Sequence, residues 1–332
     1  MNATSEGTAR YSERFPEYRA ASFYRTVRGL HISSLGIGTY LGDDSEAADA
    51  AYTDALIAAG EHGINFFDCA INYRNQRSER CIGAALRQLQ RDEIVVCTKA
   101  GFLTPGAVPD FLQPDDVVGR MHSMSPDFLS HQIDRSLANL AIDTIDIFYL
   151  HNPETQLGFR TREEFEGRIR RAFTRLEQLV EQGKIRWYGA ATWEGFRKKD
   201  ALSLPRLVEI AAEEGGPDHH FRFIQMPFNL GMVEAYVDRP ESALEIAERL
   251  GIAVVASATL LQTRILANMP DSVQDKLPGL SSDAQRAIQF TRSTPGIDVA
   301  LVGMGRREHV LANLGVAKIP PVDRAGYARL YQ

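Results

Sequence analysis

One unit returns along this sequence and limits what it can fold into. A short β-branched or aromatic run is followed by a turn and then by apolar residues at a 3.6-residue period. The strand candidates are residues 34–38, 64–68, 93–98, 144–150, 185–189, 221–226, 252–256 and 298–302. Helices separate them. Ala48, Ala51, Tyr52, Ala55, Leu56 and Ala59 form one stripe, and Phe165, Ile169, Ala172, Phe173, Leu176 and Leu179 form another. Over 126–140 the helix opens with Ser125 at the N-cap position, ahead of Pro126 and Asp127. A hairpin of 24–27 and 30–33 leads into the first unit.

The strands are nearly continuous apolar runs, as burial on both faces requires. Eight βα units can close into a (β/α)8 barrel, a single domain whose site lies on the loops after the strand C-termini. An open doubly wound sheet can also use eight strands. That alternative lacks its phosphate fingerprint here, since Gly36-Ile37-Gly38 runs on to Leu41 without a further glycine. The barrel is the expected class, a TIM barrel over residues 21–332, preceded by a flexible polar leader over 1–20.

Composition narrows the function classes. A net charge of -6 without long like-charge blocks argues against phosphate-neutralising nucleic-acid binding. No apolar run approaches the ~20 residues that cross a bilayer. The three cysteines, Cys69, Cys81 and Cys97, do not form a disulfide framework, and residues 1–19 lack an apolar signal core. A cytoplasmic enzyme acting on a small molecule is expected, with no nucleic-acid or membrane partner. No heptad seam marks an oligomeric partner, so monomer is the default.

Two connections exceed the barrel minimum. Residues 101–125 form a long excursion after the third strand, and residues 193–204, after the fifth, carry Trp193, Phe196 and three basic residues. Long loops on this face form walls or lids. Tyr40, Phe102, Trp193 and Phe228 are expected at the rim, with Phe111 joining if the long loop folds over.

Polar residues at the strand ends carry the chemistry. Asp68 ends the second strand, Lys99 the third and His151 the fourth, and Tyr73 lies on the loop above Asp68. Any one of them has a bland structural role available, as a cap, a snorkelling cation or a core histidine. Four converging on one rim suggest carbonyl reduction. A phenol is a weak acid, with a pKa near ~10. A nearby ammonium such as Lys99 lowers that value, and Asp68 can hold the lysine. Tyr73 can then give a proton to a developing alkoxide while His151 hydrogen-bonds the same oxygen. No residue has zinc-like spacing, and the adjacent His219 and His220 read as surface.

These contexts resemble the aldo-keto reductases, single-domain (β/α)8 barrels that reduce aldehydes and ketones with NADPH. The resemblance runs from about Tyr24 to Val316. It is carried by Gly63-Ile64-Asn65-Phe66-Phe67-Asp68, Tyr73, Arg77-Ser78-Glu79-Arg80-Cys81-Ile82-Gly83, Thr98-Lys99 and Asp146-Ile147-Phe148-Tyr149-Leu150-His151. It implies Tyr73 as general acid, Lys99 and Asp68 tuning it, and His151 orienting the carbonyl.

The resemblance also implies a nucleotide site, with departures. The Ser-Asn pair that holds the carboxamide in that family reads Ala191-Thr192, while Gln225 matches the other ligand. The usual Tyr-Ser-Pro-Leu reads Ser257-Ala258-Thr259-Leu260, without the stacking tyrosine. Gly303-Met304-Gly305-Arg306-Arg307-Glu308-His309 leads into a helix with Asn313, which matches the adenine contact. The implied cofactor contacts are Gly38, Thr39, Thr192, Gln225, Leu260, Gly303, Met304, Arg306, Arg307, His309 and Asn313. NADP(H) is the preferred cofactor, with NAD(H) as its rival. Two other readings stay open: a nucleotide-binding regulatory barrel of low turnover, and a lyase using Lys99 as a Schiff base.

Overall fold

The computed structural model describes residues 2–198, 201–269 and 271–331. Lys199 and Asp200, in the expected rim loop, fall outside the described residues. Among the described residues are twelve strands: β1 (Tyr24–Val27), β2 (Leu30–Ser33), β3 (Leu35–Gly38), β4 (Phe66–Asp68), β5 (Val95–Ala100), β6 (Val117–Val118), β7 (His122–Ser123), β8 (Ile145–His151), β9 (Ile185–Ala191), β10 (Phe221–Pro227), β11 (Ala253–Ser257) and β12 (Val299–Gly303). Eight of them, β3, β4, β5, β8, β9, β10, β11 and β12, form a closed barrel, and each neighbouring pair is parallel. The open sheet is thereby excluded.

Two layers of core follow from the two-residue period of a strand. Phe66, Val95, Cys97, Ile147, Tyr149, Phe223 and Val255 fill the barrel interior with Val27, Leu30 and Ile32 of the β1–β2 hairpin. Phe67, Val96, Phe148, Leu150, Ile224 and Val254 point outward against the helices. Helices Glu46–Glu61, Arg77–Leu86, Pro126–Leu140, Arg162–Glu181, Leu204–Gly215 and Asp283–Ser293 lie in that outer layer. Ser125 does occupy the N-cap position, but its side chain makes no capping bond. No described helix is long and apolar enough to cross a membrane.

The first twenty residues depart from expectation. Residues Ser5–Glu13 and Pro16–Ala20 are helical, not a loose leader. Thr4 caps the first helix, whose Tyr11 is fully buried and donates its hydroxyl to the Gly60 carbonyl at 2.8 Å. Arg10 and Arg14 pair with Glu93, and the Ala3 N–H reaches Asp146 at 2.8 Å. Gly7 meets the Asp92 carbonyl so closely that an added Cβ would lie 2.3 Å from its oxygen. The buried face is Gly7, Thr8, Tyr11 and Ser12, too polar and small to print an apolar stripe on the sequence.

His219 and His220 also differ from expectation. His219 is buried, and His220 is held by Glu177, with Nδ1 2.6 Å from the carboxylate. Glu177 accepts the Tyr188 hydroxyl as well, at 2.9 Å.

Candidate active site

The parity that fills the barrel also aims its polar strand ends. Phe66 and Asp68 share a face, as do Val95, Cys97 and Lys99, and Ile147, Tyr149 and His151. Register sets these faces side by side: Asp68 is opposite Cys97, and Lys99 is opposite Tyr149. The C-terminal layer of the barrel filling is therefore charged where lower layers are apolar.

Lys99 is completely buried. Its Nζ donates to Asp68 Oδ2 at 2.6 Å and to the Cys69 carbonyl at 2.7 Å. The second Asp68 oxygen accepts from Gln225 Nε2 at 2.9 Å. Strand parity could have suggested this bond, because Gln225 shares the inward face of β10 with Phe223. Asp68 holds the Lys99 ammonium so strongly that its pKa stays above the ordinary lysine value despite burial.

Tyr73 sits over this pair, with Lys99 Nζ 5.1 Å from its ring centre. His151 and Tyr40 flank it edge-on, at 5.7 and 4.9 Å between ring centres. The turn bearing Tyr73 continues through Arg74, Asn75 and Gln76, all at positive φ (48°, 49° and 70°). Three consecutive left-handed non-glycine residues persist only under external restraint. Arg74 supplies it: its guanidinium donates to the Asp43 carbonyl at 2.8 and 3.0 Å and to Asp49 at 2.6 Å.

Burial pushes the Tyr73 phenol up to about 12, with the Lys99 ammonium opposing that rise. The expected net lowering is thus reversed, because burial outweighs the cation. His151 moves the other way. Burial first, then Lys99, holds its pKa well below 6.5, so the imidazole is neutral at pH 7. Its Nδ1 is buried without a protein partner.

Other predicted contacts divide. Thr192 is buried with its hydroxyl oxygen unpartnered. Thr39 is also buried, but its hydroxyl already donates to the Asp68 carbonyl at 3.1 Å. Gly38 and Gly303 are paired across β3 and β12 and leave that part of the mouth open. The Met304 side chain is buried in the outer core, so only its backbone is available to a ligand. Arg306 is 69% exposed, whereas Arg307 is engaged by Asp54 at 3.2 Å. Asn313 is buried, His309 is exposed, and Leu260 is half-buried at the start of an irregular turn.

Among the expected rim aromatics, Tyr40 and Trp193 are exposed and Phe102 stacks edge-on to His151 at 5.1 Å. Phe228 is not at the rim: it is fully buried and stacked on Phe290. Phe111 packs on His131 of the outer helix, with ring centres 6.0 Å apart. Four polar groups at the mouth escaped the sequence reading: Asn72, whose buried Oδ1 has no partner, and His122, Glu154 and Gln156. They lie in a turn, a two-residue strand and a 3-10 segment, too short for period or parity to mark a direction.

A profile of the aldo/keto reductase family matches residues 34–276. Among curated relatives, a putative voltage-gated potassium channel subunit beta of Schizosaccharomyces pombe is 28% identical over 187 residues, 55% of this chain and 48% of that protein. D-threo-aldose 1-dehydrogenase of a Pseudomonas species is 33% identical over 193 residues, 53% of each chain. The chain thus spans about half the length of each of these two relatives. An aldo-keto reductase of Alternaria alternata is 23% identical over 325 residues, 90% of this chain and 81% of that protein. The fold matches an aldo-keto reductase from Klebsiella pneumoniae solved with NADPH, with a TM-score of 0.68, 21% identity and 92% and 94% of the two chains covered. It also matches a glycerol dehydrogenase from Gluconobacter oxydans, with a TM-score of 0.68, 18% identity and 93% of each chain covered. With the family profile spanning most of its length over a closed eight-stranded barrel, the chain belongs to the aldo/keto reductase family.

Proposed function

We propose that this protein reduces an aldehyde or ketone, or oxidises the corresponding alcohol, with NADP(H) as cofactor and Tyr73 as general acid. One observation carries the reading: a buried Lys99–Asp68 pair, 2.6 Å apart, lies beneath a tyrosine flanked by a neutral histidine. Burying an ion pair is a poor source of stability, so its place under the phenol calls for a chemical reason.

The substrate oxygen is taken up between the Tyr73 hydroxyl and the His151 imidazole. Neutral His151 can donate one hydrogen bond to it without competing as an acid. Tyr73 is protonated at neutral pH and releases its proton only as negative charge grows on that oxygen. The Lys99 ammonium, fixed by Asp68, then faces the phenolate left behind. Gln225 holds the other Asp68 oxygen and so fixes the direction of the pair. When bound, the nicotinamide supplies the hydride.

The unpartnered Thr192 hydroxyl suits the carboxamide of that cofactor, in a place where Gln225 is already engaged by Asp68. Arg306, exposed and only loosely paired with Glu308 at 3.7 Å, is the cation best placed to take a 2′-phosphate, which favours NADP(H) over NAD(H). Its three thiols, all unbridged and buried, support a reducing, cytoplasmic setting.

A second reading has a specific support. Relatives named as potassium channel beta subunits, together with Ser257-Ala258 where the family commonly stacks a tyrosine, favour a nucleotide-binding barrel of low turnover. Titration with NADPH and with NADH, followed by a carbonyl and alcohol screen, separates the two. The reductase reading expects tighter NADPH binding and its consumption by at least one carbonyl. Tight nucleotide binding with no turnover across the screen would favour the regulatory barrel.

A further inference from the structure

The strand that delivers His151 does not end in a free loop. Asn152 turns the chain at φ 49°, donates its N–H to the Ala191 carbonyl at 2.7 Å, and opens a short 3-10 segment, Pro153–Gly158. We propose that this segment is a brace for the whole barrel mouth, in which Glu154 positions the loop after β9 and Gln156 positions the excursion after β5. Its functional consequences rest on the reductase reading above; its structural claim does not.

The first arm is a carboxylate facing backbone. Glu154 Oε1 accepts from three successive N–H groups, those of Trp193, Glu194 and Gly195, at 2.8, 3.1 and 3.3 Å. Consecutive N–H groups around one anionic oxygen form a nest, the arrangement by which loops commonly cradle phosphate. Here the anion belongs to the protein and the loop is what it orders. The residue just before that nest is Thr192, whose buried hydroxyl has no partner. Glu154 therefore fixes the turn that carries a cofactor contact while touching no ligand itself. Further along, Arg197 donates to Glu234 at 3.0 Å and ties the same loop to the connection after β10.

The second arm runs through a histidine. His122 Nε2 lies 2.8 Å from the carbonyl oxygen of His151. A carbonyl only accepts, so Nε2 carries the hydrogen, and in a neutral ring Nδ1 must then accept. The Gln156 amide nitrogen meets that Nδ1 at 3.0 Å. Arg168 settles which way the amide faces, donating to Gln156 Oε1 at 3.3 Å. Burial lowers the His122 pKa to about 4, so the ring stays neutral and the chain of donors keeps one direction. Arg168 also donates to the Asp115 and Asp116 carbonyls, at 2.5 and 3.4 Å, and grips the excursion at a second point. The contact exists because residue 101 is glycine: a Cβ there would lie 2.6 Å from both His122 Nε2 and the His151 carbonyl oxygen.

The two loops come from opposite neighbours of β8, yet one six-residue segment that begins two positions after His151 bonds to both. Both are positioning residues, and the arms separate their effects. Hydrogen exchange of the ligand-free protein, read by mass spectrometry, tests the structural claim directly. Glu154→Ala is expected to speed exchange over residues 193–198 and leave 101–125 as in the wild type. Gln156→Met, which keeps shape but loses both hydrogen bonds, is expected to do the reverse. Glu154→Gln should restore most of the protection, because one oxygen accepts all three bonds. In function, Glu154→Ala should raise the NADPH Kd by about fivefold or more, and Gln156→Met should raise the carbonyl KM with the NADPH Kd unchanged. Exchange that is unchanged in both variants, or raised equally in both loops by either one, would overturn the brace. If the wild type neither binds NADPH nor turns over any carbonyl, the reductase reading falls while the exchange result still decides the brace.

Discussion

The mouth of this barrel has two unlike halves. On the side of β4, β5 and β8, the described polar groups are mostly paired, buried and braced: Lys99 on Asp68, Asp68 on Gln225, and the His151 carbonyl on His122. Around β11 and β12 the mouth is open: Gly303 leaves room above its strand, Arg306 stands in solvent, and Leu261, Gln262 and Thr263 run at positive φ through an irregular turn. Under the proposed function, the contrast follows from two tasks. Proton delivery needs groups held before the substrate arrives, since only a preorganised field lowers the barrier. Nucleotide binding can rely on backbone groups and long cations that order as the ligand arrives.

If that contrast holds, substitutions on the two sides differ in kind as well as size. The largest structural effect is expected from Lys99→Met. It removes the cation from a buried pair and leaves Asp68 facing the interior, a change that typically costs about 3–5 kcal/mol. Urea unfolding measures it, and a loss under about 1 kcal/mol would mean that this half of the mouth is not preorganised. The smallest effect is expected at Arg306→Ala, which should leave stability unchanged and weaken NADPH by about three- to tenfold, with NADH untouched. Equal weakening of both nucleotides would remove the 2′-phosphate role from Arg306.

The same division explains what could be read from the sequence. The eight strands and the lead-in hairpin were legible because apolar period and length agree there. Asp68, Lys99 and His151 were legible because a strand has only two faces, so a polar residue in phase with Phe66, Val95 and Ile147 must enter the barrel mouth. Phe228 obeys the same logic although it was expected at the rim. It lies one residue beyond β10, in phase with Ile224 and Met226 on the outward face, and packs with them in the outer core. His122 and Glu154 act through backbone partners, and Gln156 through the side chains of His122 and Arg168, all in other elements, which no local pattern records. The helix at 5–13 was hidden for a related reason: its docking rests on Tyr11, Gly7 and paired arginines, not on an apolar stripe.

The direct test of the central claim is Tyr73→Phe, which deletes one oxygen and keeps the ring between Tyr40 and His151. Nucleotide affinity and the rate of carbonyl reduction should be measured on the same preparation. NADPH Kd within twofold of wild type, with turnover reduced by about 10²–10⁴-fold, is the predicted result. Turnover at the wild-type rate would show that the proton comes from elsewhere.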